Sequence, residues 1–412
     1  MQNDFFINKN VLLLFSVSSE DENQYYDFHN EILRKYFKNT YSINFLEHSL
    51  RKGIRNTEGY IEEIVSEKNI DVVMVFSFAS VYDLSVEFYS KIKTKINLIF
   101  WMFDDENYFD AYSKYYCQIA DAVVTTDYFS VFSYKKLSIP SVLYFSSRSK
   151  NNYYPIKSEK DIDVCFLGDC RKHDRMEYIN FLMKNGVNIK TFGAGSMNGF
   201  VEWSDFSKIF SRSKINLNFT KIDKLNWINR NDPLLNKVGQ PKGRPIEIAL
   251  TKSFCLSEYA PALNEMFEIG KEIDVFQNKD ELLEKVKYYL SNEFKREEIA
   301  GNAYKKATNN YESDVYIPRV LKELERFLQI IHRQEKHKIF LSNSFKIKSI
   351  NGLSFSMFVF IKNGKIGYAL ELFKELFKYG VFNFFAGFSG GLIRVIKHII
   401  KNKDDDKKSK GF

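Results

Sequence analysis

Short runs that are apolar on both faces recur along this chain, each followed by a stretch of helical character. "VLLLF" (11–15), "DVVMVFSF", "INLIFWMF" and "DAVVTT" come first, then "DVCFLG", "INLNF", "FCLS" and "DVF" (274–276). A strand without a polar face must be covered on both sides, as in a parallel sheet. Alternation with helices supplies the covers and the crossovers. The expected fold class is therefore α/β, with doubly wound parallel sheets. Residues 146–160, "SSRSKNNYYPIKSEK", are polar and aperiodic, and the alternation restarts after them. Two Rossmann-like domains, 1–150 and 151–333, are expected to face a cleft, with the chemistry in loops beyond the carboxyl ends of the strands.

At 412 residues the chain exceeds one ordinary domain, and 44% apolar with 16% aromatic residues is ample for packed cores. The net charge of +8 suits an anionic substrate or membrane surface, but no dense basic stripe of the nucleic-acid kind is present. Cys117, Cys165, Cys170 and Cys255 form no C-x-x-C pair and have no histidine at metal-ligand spacing. They read as reduced core thiols of a cytoplasmic chain, with no metal site. "MQNDFFINKNVLLLF" lacks the pattern of a signal peptide. Residues 334–412 change character. This extension is expected to be helical, basic and amphipathic, with Phe373, Leu376, Phe377, Phe382 and Phe385 on one face. It reads either as a peripheral membrane contact through 366–402, at the inner face of the cell membrane, or as a helical hairpin packed on the body or on a second copy.

The stretch "PKGRPIEIALTKSFCLSEYAP" (241–261) carries the most chemistry. Pro245 suits a first helical turn, Gly243 permits close approach, and Lys242 and Arg244 stand beside the positive helix end. Glu247 lies in the first turn. Beyond the strand "FCLS", Pro261 predicts a second helix start, with free N–H groups at Tyr259 and Ala260. Cations and amides bind phosphates, and carboxylates accept sugar or ribose hydroxyls. Together they predict a site for a nucleotide sugar, with a solvated or salt-bridged Glu247 as the alternative. Asp104 and Asp105, after "INLIFWMF", are the catalytic candidates as proton acceptors; otherwise they cap the next helix. His29 and His173 read as structural.

The segment 242–292 resembles the donor domain of group 1 glycosyltransferases, in particular the spore-maturation, CgeB-like branch. Its pattern K-G-R-x-x-E-x-x-x-x-G-x-x-x-L-(S/T)-E-x-x-P-x-L-x-x-x-F-x-x-G-x-E is met by Gly243, Arg244, Glu247, Leu256, Ser257, Glu258, Pro261, Leu263, Phe267, Gly270 and Glu272. Ser253 replaces its internal glycine. "DVCFLGDCRKHDRMEYINFL", "FSRSKINLNFT", "NLIFWMFDDENYFD" and "ADAVVTTDYFSVFSYKKLSIPSVLYF" resemble other family segments, so the likeness spans about 10–330. It implies a GT-B fold whose second domain holds a nucleotide-sugar donor and whose first holds a glycan, lipid-linked or protein acceptor, without a required metal or other cofactor. It further implies Gly168, Arg171 and Arg244 on the phosphate side, Glu247 on the ribose, and Glu258 or Glu265 facing the donor. The earlier glutamate of the family's Glu-x7-Glu pair falls at Gly239. A GT-B sugar-nucleotide epimerase, or a binding protein without turnover, are the competing readings.

Overall fold

The computed structural model describes residues 5–17, 28–77, 83–222, 239–330 and 339–409. Two all-parallel sheets organise the chain. The first joins β1 (Asn10–Phe15), β2 (Asn39–Asn44), β3 (Val72–Ser77), β4 (Asn97–Met102), β5 (Ala122–Thr125) and β6 (Ser141–Leu143) in the order β2-β1-β3-β4-β5-β6. The second joins β7 (Ile162–Leu167), β8 (Ile189–Phe192), β9 (Ser213–Asn218), β10 (Cys255–Glu258) and β11 (Asp274–Phe276) in the order β11-β10-β9-β7-β8.

The period of two along each strand builds a separate core on each face. Leu12 and Leu14 join Val73, Val75, Leu98 and Phe100 on one side of the first sheet. Val11, Leu13 and Phe15 join Val72, Met74, Ile99 and Trp101 on the other. Leu13 lies in register with Met74, and both are fully buried. All four cysteines are buried and free, as their spacing suggests. Burial pushes the Cys165 thiol up to about 12, so it packs as an inert hydrophobe.

The helix Ser313–Ile330 was expected within the second domain. It instead returns to the first sheet, where Ile317, Val320, Leu321, Leu324 and Leu328 enter the Val11–Leu13 core. The expected boundary at 333 is thus not the boundary of packing. A second crossing follows. The extension forms the helices Asn343–Lys362, Ile366–Glu375 and Val381–Ser409; Ile350, Leu353, Met357, Ala369, Leu372 and Leu376 make a small core, against which Phe384 and Phe388 of the last helix pack. Leu376 therefore points inward, away from the face on which the sequence placed it. Glycine explains the closest crossing: a Cβ at Gly387 would lie 2.6 Å from Cβ of Ile350, and one at Gly391 2.5 Å from Cβ of Ser354. The unit docks on the first domain. Phe345 enters its core against the Tyr115 ring at 4.5 Å, and Tyr115 Oη and Ser342 Oγ are 2.6 Å apart.

In both sheets the strand order reverses beside the first strand, between β1 and β3 and between β7 and β9. Ligands of open α/β sheets sit beyond the carboxyl ends at such points. In the second sheet that place is flanked by 168–174 after β7 and by 219–222 after β9.

Candidate active site

The loop after β7 carries Arg171, Lys172 and His173, all exposed. It can lie close to the next loop because that one is glycine-rich. A Cβ at Gly193 would sit 2.5 Å from the Gly168 carbonyl oxygen, and one at Gly195 2.5 Å from Cγ of Arg171. Gly168 donates its N–H to Phe192 O at 2.8 Å, and Cys170 donates to Ala194 O at 2.8 Å. Arg171 meets Asp169 in a two-pronged pair, Nε to Oδ1 at 3.0 Å and Nη2 to Oδ2 at 2.9 Å. This hydrogen-bonded pairing holds the Asp169 carboxyl below its usual range. The guanidinium stays at the surface, where an anion can reach it.

Glu258 ends β10 and is buried. Its Oε2 accepts from the backbone of Thr220 at 2.9 Å and of Lys221 at 3.2 Å, and Lys221 Nζ lies 3.2 Å from Oε1. Lys221 also donates to Asp174 at 2.5 Å. Burial alone would lower the Lys221 pKa, but Asp174 and Glu258 raise it well above the ordinary value. Glu258 therefore fastens the loop after β9 and positions a lysine beside the switch point, instead of facing the cleft freely. Tyr259 and Ala260 also differ from expectation. The Tyr259 N–H is taken by Phe276 O at 2.9 Å, and Ala260 is fully buried. Gly239 packs against Thr220 and Ala260, where a Cβ would lie 3.0 Å from Cβ of Thr220, so a glutamate does not fit there without displacing that loop.

The segment 240–247 spans the two domains. Gln240 Nε2 donates to the Thr126 carbonyl at 2.6 Å. Lys242, in the left-handed region at φ 53°, pairs with Asp104 and Glu106 of the first domain. Desolvation works to lower the Lys242 pKa, weakly for a side chain that stays 45% exposed, and Asp104 and Glu106 outweigh it and raise the pKa. Glu106 is buried, and burial raises its pKa despite Lys242. Gly243 faces the guanidinium of Arg148, which occupies the space a side chain would need. Arg148 is buried; its Nε donates to Glu247 at 2.7 Å, and Nη1 to the carbonyls of Ser146 and Ser147 at 3.0 and 3.1 Å. Arg244 pairs with the other Glu247 oxygen and lies over the rings of Phe206 and Phe210, at 5.2 and 5.5 Å. Burial works to raise the Glu247 pKa, but Arg244 and Arg148 outweigh it and hold the carboxyl below its usual range. The salt-bridged alternative for Glu247 is the arrangement observed, and Arg244 turns toward the helix Phe206–Arg212 instead of into the cleft.

The two aspartates part company. Asp105 is buried, with Oδ2 accepting from Thr125 at 2.7 Å and from Tyr134 at 2.8 Å, and burial raises it to about 6. It ties β5 to the helix Tyr128–Lys136 and does not reach the cleft. Asp104 precedes the short helix Asp105–Tyr108 at φ 56°, is half-exposed, and receives no side-chain capping role there. It lines a cleft of about 180 Å³ with Phe103, Thr126, Arg148, Gln240, Lys242 and Gly243 among its walls. His29 is buried among Phe76, Trp101, Phe103 and Tyr144. Glu265 is exposed and accepts from Tyr128 across the domains at 3.4 Å. Among the described residues, no three His, Cys, Asp or Glu side chains gather as a metal-binding group.

Arg148 and Glu106 were not singled out in the sequence. Arg148 sits in a segment with no periodicity, and only its place opposite Gly243 reveals it. Glu106 carried one signal, its position two residues beyond Asp104 in "DDE".

Residues 172–321 match the glycosyl transferase-like family model. This segment begins at Lys172, inside the loop after β7, and contains all of β8–β11 and the 240–247 bridge. In structure, the chain is similar to sucrose-phosphate synthase from Thermosynechococcus elongatus, at 7% identity and a TM-score of 0.56 over 78% of this chain and 99% of that one. It is likewise similar to Anabaena HepE solved with UDP and glucose, at 11% identity and TM-score 0.54 over 77% and 100%. A glycosyltransferase from Rickettsia africae matches at 13% identity and TM-score 0.52 over 79% and 100%. The chain has the GT-B fold of glycosyltransferases. A comparison with curated proteins finds no match.

Proposed function

We propose that the chain transfers a sugar from a nucleoside-diphosphate donor to a hydroxyl of a glycan, lipid-linked or protein acceptor, and that the C-terminal helices bring it to acceptors at the inner face of the cell membrane. One observation carries the reading: across the cleft, Lys242 of the donor side meets Asp104 of the acceptor side. A departing diphosphate needs a cation, and an attacking hydroxyl needs a proton acceptor. In this reading both act on one reacting carbon held in the cleft.

In this reading the diphosphate lies beyond β7 and β9, near Arg171 and Lys221, and Lys242 exchanges its carboxylates for phosphate oxygen. Fixed cations stabilise the charge that grows on the leaving group, with no metal required. Asp104, released from Lys242, accepts the acceptor's proton as the new glycosidic bond forms and the bond to phosphate breaks. Glu258 acts by fastening the loop that carries Lys221, and Glu247 by fixing Arg148 against Gly243 and Arg244 over Phe206 and Phe210.

Incubation with UDP-, GDP-, ADP-, TDP- and CMP-linked sugars tests the proposal. The expected result is slow release of the free nucleotide from one donor. An isomerised donor would instead favour an epimerase, and binding without any turnover a non-catalytic protein.

A further inference from the structure

The C-terminal unit is apolar on its outside as well as in its core. On the helix Ile366–Glu375 and the turn after it, Ile366, Leu370, Phe373 and Phe377 are all exposed, at the spacing of one helical face. On the helix that begins at Val381, Phe382, Phe385, Leu392 and Ile396 form a second exposed stripe, with Phe382 at 75% and Phe385 at 65% exposure. The inner face of that helix is already used, by Gly387 and Gly391 against the helix Asn343–Lys362. Ring contacts join the two stripes: Phe373 to Phe377 at 5.6 Å, Phe377 to Phe384 at 4.4 Å and Phe384 to Phe385 at 5.2 Å. The second stripe alone runs for roughly 20 Å at 1.5 Å per residue. A continuous apolar surface of this kind marks an interaction site.

Charge identifies the occupant. Residues 339–397 hold eight lysines and arginines against two glutamates. Lys362, Lys365 and Lys397 are exposed, Lys374 is exposed and paired with the half-buried Glu371 at 2.5 Å, and Glu375 is buried. Two copies meeting through this surface would bring like-charged rims together. An anionic leaflet would attract the same rim, and its acyl region would accept the phenylalanines. No helix among the described residues is long and apolar enough to cross a bilayer, so the contact is interfacial.

We propose that the outer faces of 366–377 and 381–396 form one docking surface that lies in the plane of an anionic lipid bilayer, with Phe382 and Phe385 entering the acyl boundary and the exposed lysines meeting lipid phosphates. This rests on the membrane side of the function proposed above, but on different residues from the donor site, so each can fail alone.

The full chain is floated with vesicles of phosphatidylcholine, and of phosphatidylcholine mixed with phosphatidylglycerol, while light scattering records its oligomeric state. Flotation with the anionic vesicles is expected, together with at least about tenfold less recovery for the double variant Phe382→Asp, Phe385→Asp. Both side chains lie outside the shared core, so the variant should keep the thermal midpoint of the parent and the same nucleotide affinity. Recovery of the variant equal to the parent, no flotation of the parent, or a dimer that the double variant dissociates would each overturn the proposal, the last by assigning the surface to a second copy.

Discussion

Asp104→Asn is expected to lower sugar transfer by about 10²–10⁴-fold while nucleotide affinity changes little. The amide keeps the size of the carboxyl and can still meet Lys242, but it cannot accept the acceptor's proton. Asp105→Asn is the paired control. Asp105 accepts from Thr125 and Tyr134 inside the first domain, so its loss should appear in stability, with turnover falling only as folded protein is lost. Initial rates at saturating donor, with circular dichroism on both variants, separate the two. If Asp105→Asn abolishes transfer in a fully folded protein while Asp104→Asn remains active, the roles are reversed.

Glu247→Ala is expected to destabilise the second domain by about 3–5 kcal/mol, because it strips a buried carboxylate from two guanidinium groups at once. Arg148 would keep its contacts to the Ser146 and Ser147 carbonyls, and Arg244 its place over Phe206 and Phe210, but neither would have a counter-charge. The urea midpoint of the second domain measures this. The pH dependence has a defined sign. A carboxyl whose folded pKa is depressed contributes its full stability above the ordinary value of 4.5, and loses it as pH falls below that value through the folded pKa. The parent should therefore weaken on acidification, and Glu247→Ala should weaken less. A variant that unfolds like the parent and loses only donor affinity would return Glu247 to the ribose-binding role.

Much of the fold was legible because buried parallel strands leave an unmistakable pattern. Runs such as "VLLLF" and "INLIFWMF" have no polar face, and only a sheet covered on both sides can take them. The helix Lys279–Ser291 has a start that sequence can signal, a capping Asn278 with Glu281 three residues on, and Asn278 does accept from the Glu281 N–H at 3.0 Å. The return of 313–330 to the first sheet was not legible, because its apolar face would fit either core equally well. The site was legible as a region and not as a set of contacts. The cations of "PKGRPIE" were recognised, but a sequence does not state which carboxylate each one meets. Lys242 meets Asp104 and Glu106 from another domain, and Arg244 meets Glu247 three residues on. Arg148 remained hidden because its meaning lies in the cavity above Gly243, a relation across 95 residues that no local pattern carries. The two-sided character of the last helix was half visible. Its phenylalanines stood out, while the glycines that occupy its inner face, and so leave those rings outside, gave no sign of their role.

The account rests on a diphosphate site at the switch point of the second sheet. Thermal stabilisation of the full chain across UDP, GDP, ADP, TDP and CMP tests it most directly, since a ligand that binds only the folded state raises the midpoint by mass action. One nucleotide is expected to raise the midpoint in a concentration-dependent way, and Arg171→Ala with Lys221→Ala should remove that rise without lowering the ligand-free midpoint by as much. No shift with any nucleotide at millimolar concentration, or a shift that survives loss of both cations, would contradict it.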